Sequence, residues 1–124
     1  MFDETARATD EVTGKTNIQL LNEAGILPGI KIDIGLKDIL GTDGEKATVG
    51  LDDMGERAKM YYEMGIRFAK WRAVIKIDEK TGCPSDHAIM EISHSLARYG
   101  SLCQWNGLVP IIEPEVLMDG DHSI

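Results

Sequence analysis

The sequence is poor in what nucleic-acid grooves, disulfide frameworks and membrane spans are built from. Its 124 residues carry 13 Lys and Arg against 21 Asp and Glu, a formal net charge of −8. That balance argues against a nucleic-acid partner, because neutralising a phosphate backbone takes a basic stripe. It leaves room for a small anion, since a local cluster of cations can sit inside an acidic protein. Cysteine is scarce: Cys83 and Cys103 stand far apart without CxxC spacing. No disulfide framework is implied, and a reducing compartment fits. Long apolar runs are missing, and none approaches the ~20 residues of a membrane helix. The acidic start, MFDETARATDEVTG, lacks the basic head and apolar stretch of a signal peptide. The expected location is therefore cytoplasmic. Short repeats and low-complexity tracts are also missing.

What is present is ordinary in amount and regular in order. Hydrophobic residues make up 43% and charged residues 27%, as in soluble globular domains. Helix-like and strand-like runs alternate. Thr16 and Gln19 fit a capping box for a helix over 16–24, with Gly25 as its stop. PGIKIDIG, residues 28–35, reads as an isoleucine-rich strand, and 36–51 as a glycine-containing loop. Asp52 is the candidate cap of a second helix, in which Leu51, Met54, Ala58 and Tyr61 recur at helical spacing. RFAKWRAVIKI, residues 67–77, reads as a second strand, followed by a turn with Gly82 and Pro84. Ser85 caps the longest helix, whose apolar face is Ile89, Ile92, Leu96, Tyr99 and Cys103, and Gly107 ends it. LVPIIEPE, residues 108–115, is the third strand, although Pro110 removes a ladder donor. MFDE at the start reads as the end of one more strand.

Strands alternating with helices imply parallel pairing through right-handed crossovers. The expected fold class is α/β: a partial (β/α)8 TIM barrel, with residues 1–124 forming one incomplete domain. A complete barrel takes about 250 residues.

Side chains two apart in a strand share a face. Three charge pairs keep that spacing: Lys31 with Asp33, Lys70 with Arg72, and Glu113 with Glu115. The interleaved positions are apolar or small: Ile30, Ile32 and Ile34; Ala69, Trp71 and Ala73; Pro110, Ile112 and Pro114. The greasy faces are expected to meet the helices. The charged faces are expected to point into the barrel near the C-terminal strand ends, where barrel enzymes keep their sites. Three cations and three anions can pair there, which offsets the cost of burying them. Lysines and an arginine at one mouth suit phosphate groups, and a carboxylate among them can serve as general acid or base. The bland alternative, solvated charges on exposed strands, suits any one pair better than three in phase.

Other candidates carry less. His87 and His94 are seven apart, which is not the spacing of a helical metal pair. His122 in the DGDH tail, Cys103, Trp71 and Trp105 read as surface or packing residues. No metal and no cofactor is expected.

FDET, GIKIDIG, FAKWRAVIKI and LARYGSLCQWNGLVPIIEPEVLMDGDH together resemble class I fructose-bisphosphate aldolase, over essentially the whole chain from Phe2 to His122. The resemblance implies an internal part of that barrel, from the end of its second strand to just past its fourth. It implies cleavage of fructose 1,6-bisphosphate into dihydroxyacetone phosphate and glyceraldehyde 3-phosphate, through a Schiff base and without a metal. By motif, Glu113 in PIIEPE matches the main general acid/base and Glu115 the glutamate beside it. Lys70 and Arg72 in KWR match residues that contact substrate and its phosphate, and Lys31 in GIK matches a further lysine of that group. Asp33 is counted with them as substrate-binding. The partner implied is a phosphorylated sugar, with no nucleic acid and no membrane, and the complete protein is expected to be a homotetramer. The family's imine-forming lysine belongs to a sixth strand that this chain does not reach, so the chain alone is expected to be inactive. Ile34 stands where the family often has lysine, and Asp53 where glycine is common. Two other readings stay open: an imine on Lys70 itself in a smaller or self-assembled barrel, and a non-catalytic remnant.

Overall fold

Met1 and Phe2 are extended, and Asp3–Arg7 forms a short helix, α1. The expected strand end at MFDE is thus confined to Met1. Its carbonyl accepts from Lys31 N at 2.8 Å, and its backbone nitrogen donates to Gly29 O at 2.7 Å. Asp3 and Arg7, one helical turn apart, form an ion pair, and that spacing favours helix over strand. In this computed structural model, which describes residues 1–123, the Thr16–Gln19 capping box is formed and opens helix α2, Asn17–Glu23. Gly25 follows with φ +73°, a conformation only glycine adopts freely.

Strand β1 is Gly29–Lys31, much shorter than the apolar run 28–35 suggests. After Ile32, which still donates to Lys70 O, the chain leaves the sheet. The segment 36–51, expected as loop, contains an antiparallel hairpin of β2, Leu36–Asp38, and β3, Lys46–Thr48. It lacks the alternation of a half-buried strand, and all three residues of β2 are exposed. The hairpin also accounts for the early end of β1. Thr48 Oγ1 donates to Arg72 O at 2.6 Å, on the side of its strand that faces β1, and so takes a carbonyl that a longer β1 would have bonded.

Helix α3 is Met54–Glu63, with Asp53 rather than Asp52 at its N-cap position. Asp53 makes no capping bond of its own; its carboxylate is held by Arg57. Met54, Ala58 and Tyr61 are buried as expected. Strand β4, Phe68–Ile75, then helix α4, Asp86–Trp105, and strand β5, Val109–Val116, complete the order. Ser85 caps α4 by accepting from Ala88 N. The buried stripe of α4 begins at Ala88, which lies a full i, i+4 step before Ile92. Ile89 falls on the flank and is 46% exposed, against expectation.

The main sheet has the order β1-β4-β5, all parallel, with register Gly29↔Phe68↔Val109 and Lys31↔Lys70↔Ile111. This is an α/β arrangement of parallel strands alternating with helices, as in part of a (β/α) barrel. One face of the sheet is covered by the helices. Ile30, Ile32, Ala69, Trp71 and Ala73 are buried there, as expected, against Ile92, Leu96, Tyr99 and Cys103 of α4. Trp71 stacks on Tyr99 with ring centroids 5.5 Å apart, and the Tyr99 hydroxyl donates to Ala69 O at 2.6 Å. Burial of the indole's apolar area contributes on the order of 4–6 kcal/mol, offset by about 1–3 kcal/mol because its Nε1–H is buried without an acceptor among the described residues. Three expected members of the covered face depart from it. Ile34 is 66% exposed because it lies on the hairpin's leg, outside the sheet, and Ile112 and Pro114 are exposed on the edge strand.

Pro110 sits inside β5 without cost to the ladder. Val109 N donates to Arg67 O, just before β4, and Leu117 N to Ile75 O at its end, so odd-numbered residues point their backbone groups inward and even-numbered ones point away. Pro110 and Pro114 both lie on the outward phase, where no donor is needed for pairing with β4.

Candidate active site

The face opposite the helices carries the other phase of each strand, and it brings together all six charged residues predicted from the sequence. Along this face the register stacks Gly29, Phe68 and Val109 lowest. Lys31, Lys70 and Ile111 come next, then Arg72 level with Glu113, and Val74 level with Glu115. A Cβ on Gly29 would collide with the Phe68 ring, so glycine is what lets that ring lie flat across the base. Beside it, at the N-terminal end of β1, opens a mostly apolar concavity of about 270 Å³ lined by Met1, Leu21, Leu27, Pro28, Gly29, Ile30, Phe68 and Ile111, which Lys31 and Lys70 also border.

The charges pair diagonally, one step towards the C-terminal strand ends. Lys70, level with Ile111, reaches Glu113, with Nζ 2.8 Å from Oε2. Arg72, level with Glu113, forks onto Glu115, with Nε and Nη2 on separate oxygens and Nη2 at 3.0 Å. Lys31 pairs with Asp33 on its own strand, and Asp33 also accepts from Gly35 N at 3.2 Å. The Arg72 guanidinium holds the Glu115 carboxyl below its ordinary range, and the same hydrogen bonds keep Arg72 firmly protonated. Lys31 Nζ also lies 5.9 Å from the centroid of the Phe2 ring, a weak cation–π contact.

Two carboxylate oxygens at this mouth are buried without a hydrogen-bond donor, Asp33 Oδ2 and Glu113 Oε2. The Asp33 side chain is only 3% exposed. For Glu113 the neighbouring ammonium is close in distance, but the contact lacks hydrogen-bond alignment. Unmet acceptors of this kind cost about 1–3 kcal/mol each, which is more readily understood at a working site than in a packing core. The arrangement can hold an anion on displaced cations and can accept or donate a proton at Glu113.

A second concavity, of about 290 Å³, lies between residues 76–80 and 119–122. Its lining carries Asp78, Glu79, Asp119 and Asp121 against Lys76 and Lys80, with His122. That net negative lining suits a phosphate poorly. No group of His, Cys, Asp and Glu able to hold a metal occurs among the described residues. Cys103 is inert, since burial pushes its thiol up to about 11.

Sequence reasoning missed two supports of the site. Thr48 was hidden in a stretch read as loop. Arg57 was legible as the i+4 partner of Asp53, but its bonds to the backbone of Ile32 and Gly50 were not.

Comparison with known proteins agrees over the whole length. The glycolytic family model described as fructose-bisphosphate aldolase class-I matches residues 1–124. A cytoplasmic isozyme 2 of fructose-bisphosphate aldolase from Pisum sativum is 54% identical over 124 residues, covering 100% of this chain and 34% of that protein. The fructose-bisphosphate aldolase of Dictyostelium discoideum is 57% identical over 111 residues, 90% of this chain and 31% of that protein. A solved structure of the Plasmodium falciparum enzyme, in complex with TRAP and a small-molecule inhibitor, superposes with a TM-score of 0.93 at 52% identity. It covers 98% of this chain, which in turn covers 35% of that one. The chain thus spans about a third of the length of the curated relatives it matches. With the parallel strands, the charged inner face and the full-length match in agreement, the chain belongs to the class I fructose-bisphosphate aldolase family.

Proposed function

We propose that this chain supplies the phosphate-holding and proton-moving part of a site that cleaves fructose 1,6-bisphosphate to dihydroxyacetone phosphate and glyceraldehyde 3-phosphate. The observation that carries the reading is the Lys70–Glu113 pair, whose carboxylate oxygen is buried beside an ammonium and lacks an aligned donor. Lys31, Lys70 and Arg72 take the phosphorylated sugar by exchanging their internal carboxylates for its phosphate and oxygen atoms. Asp33 keeps Lys31 in place and offers an acceptor to a sugar hydroxyl.

A lysine amine adds to the ketose carbonyl, and Glu113 delivers the proton with which the carbinolamine oxygen leaves as water. The C3–C4 bond then breaks as a base removes the C4 hydroxyl proton. The electron pair moves into the iminium, and glyceraldehyde 3-phosphate departs. Protonation of the enamine carbon and hydrolysis of the imine release dihydroxyacetone phosphate. The cations favour the charge that develops on oxygen through these steps. Glu115, neutralised by Arg72, keeps that arginine oriented. Following the family resemblance, the imine is assigned to a lysine outside residues 1–124, and Lys31 and Lys70, each paired with a carboxylate, are read as substrate-holding. The complete protein is read as a cytoplasmic homotetramer.

Grafting residues 1–124 in place of the matching third of the pea relative tests the reading. The graft should cleave fructose 1,6-bisphosphate, and Glu113→Gln should lower kcat by about 10²–10⁴-fold. Borohydride with substrate should trap an adduct outside the grafted segment. A folded graft with no cleavage, or an adduct on Lys31 or Lys70, would overturn it.

A further inference from the structure

We propose that Arg57 is a positioning residue for this pocket. From α3, and without touching the pocket, it sets where the end of β1 stands against β4, and with it the Lys31–Asp33 pair. The inference rests on the sugar-phosphate reading above and extends it to a residue outside the mouth.

Ile32 is the last residue of the β1 run to bond β4, through its N–H to Lys70 O at 3.1 Å. Its carbonyl is taken by Arg57 Nη1 at 2.6 Å. The same guanidinium donates through Nη2 to Gly50 O, where the hairpin returns, and through Nε to Asp53 Oδ1 at 2.9 Å. One planar fork therefore ties the exit of the hairpin segment to its return. The Arg57 side chain is 19% exposed, so water competes little for these bonds.

The two legs are also bonded to each other, Ile34 N to Val49 O and Val49 N to Gly35 O, each at 2.9 Å. Asp33 lies between Ile32 and Ile34, and the backbone of both is pinned. Gly50 completes the fit. Its φ is +121°, and a Cβ there would collide with the Ile34 side chain and stand 3.1 Å from Arg57 Nη2. Only glycine lets its carbonyl come so close to the guanidinium. Without the fork, nothing on α3 holds the Ile32 carbonyl, and the strand end can drift together with both legs. Displacements of about 1 Å at a site can cost on the order of 100-fold in rate or affinity.

Two measurements test this. In the graft described above, Arg57→Gln should raise KM for fructose 1,6-bisphosphate about tenfold while kcat changes less than about threefold, because substrate holding rather than proton transfer is disturbed. Arg57→Lys keeps the charge but not the fork, and should fall between parent and Arg57→Gln. In the 124-residue chain, amide exchange should quicken at Ile34 and Val49 in Arg57→Gln and stay at the parent rate at Trp71 and Tyr99. Unchanged KM with parental exchange at Ile34 and Val49 would overturn the proposal. So would exchange quickened evenly through β4 and α4, which marks general loss of stability. If the parent graft does not cleave, the sugar-phosphate reading falls, and exchange at Ile34 and Val49 alone decides whether Arg57 positions the strand end.

Discussion

Arg72 and Glu115 show how a single residue pair couples the site to pH. The guanidinium lowers the Glu115 carboxyl from its ordinary value of 4.5, chiefly by hydrogen bonding. A carboxyl lowered on folding contributes stability that is fully present above its ordinary value. That contribution is lost as pH falls through the lowered one. Both partners are more than a third exposed, so the contribution is screened and small. Replacing Arg72 with Met should return Glu115 to titration near 4.5, as followed by carboxyl carbon NMR. An unchanged, still depressed midpoint would show that Arg72 is not its cause. The residue types at this site were fully legible in the sequence, because period-two spacing alone put Lys70 with Arg72 and Glu113 with Glu115 on one face. Their pairing was not, since it crosses strands diagonally and depends on a register that only the ladder supplies.

Among the elements, the hairpin of β2 and β3 is the one the sequence concealed. Its strands are three residues each, too short for alternation to show, and it is secured by single side chains. Glu45, buried in the turn before β3, accepts from Ser85 N at 2.9 Å and Ser85 Oγ at 2.6 Å, at the N-terminus of α4. A carboxylate suits that end of a helix, where unpaired N–H groups and the dipole favour negative charge. Glu45→Ala should cost about 1–3 kcal/mol in urea denaturation, because it leaves both part-buried donors of Ser85 without their acceptor. Glu45→Gln, which keeps an acceptor, should cost less. Equal, negligible losses in both would show that the hairpin is held elsewhere. The helices and long strands, by contrast, were legible from their ends. Thr16 and Ser85 cap as their side chains dictate, while Asp53 rather than Asp52 takes the N-cap position of α3 and bonds Arg57 instead of a backbone N–H. Pro110 misled for a simple reason: its effect depends on which way an edge strand turns its backbone, and β5 turns both prolines outward.

At the scale of the whole molecule, the fold delivers three parallel strands whose helix-facing residues are apolar and whose opposite face gathers three cations and three anions. The alternation of strand and helix and the phase of the charges were enough to anticipate that division. Period and order survive in the sequence, whereas the closing of an edge and the covering of Ile112 and Val109 depend on neighbours beyond any one strand. The most direct test of the account is a crystal structure of the grafted enzyme with dihydroxyacetone phosphate bound. The account predicts the ligand's oxygen atoms within hydrogen-bond reach of Lys70 and Arg72, with Glu113 beside its carbon skeleton. A ligand seated elsewhere, or Lys31, Lys70, Arg72 and Glu113 found on separate surfaces, would contradict it.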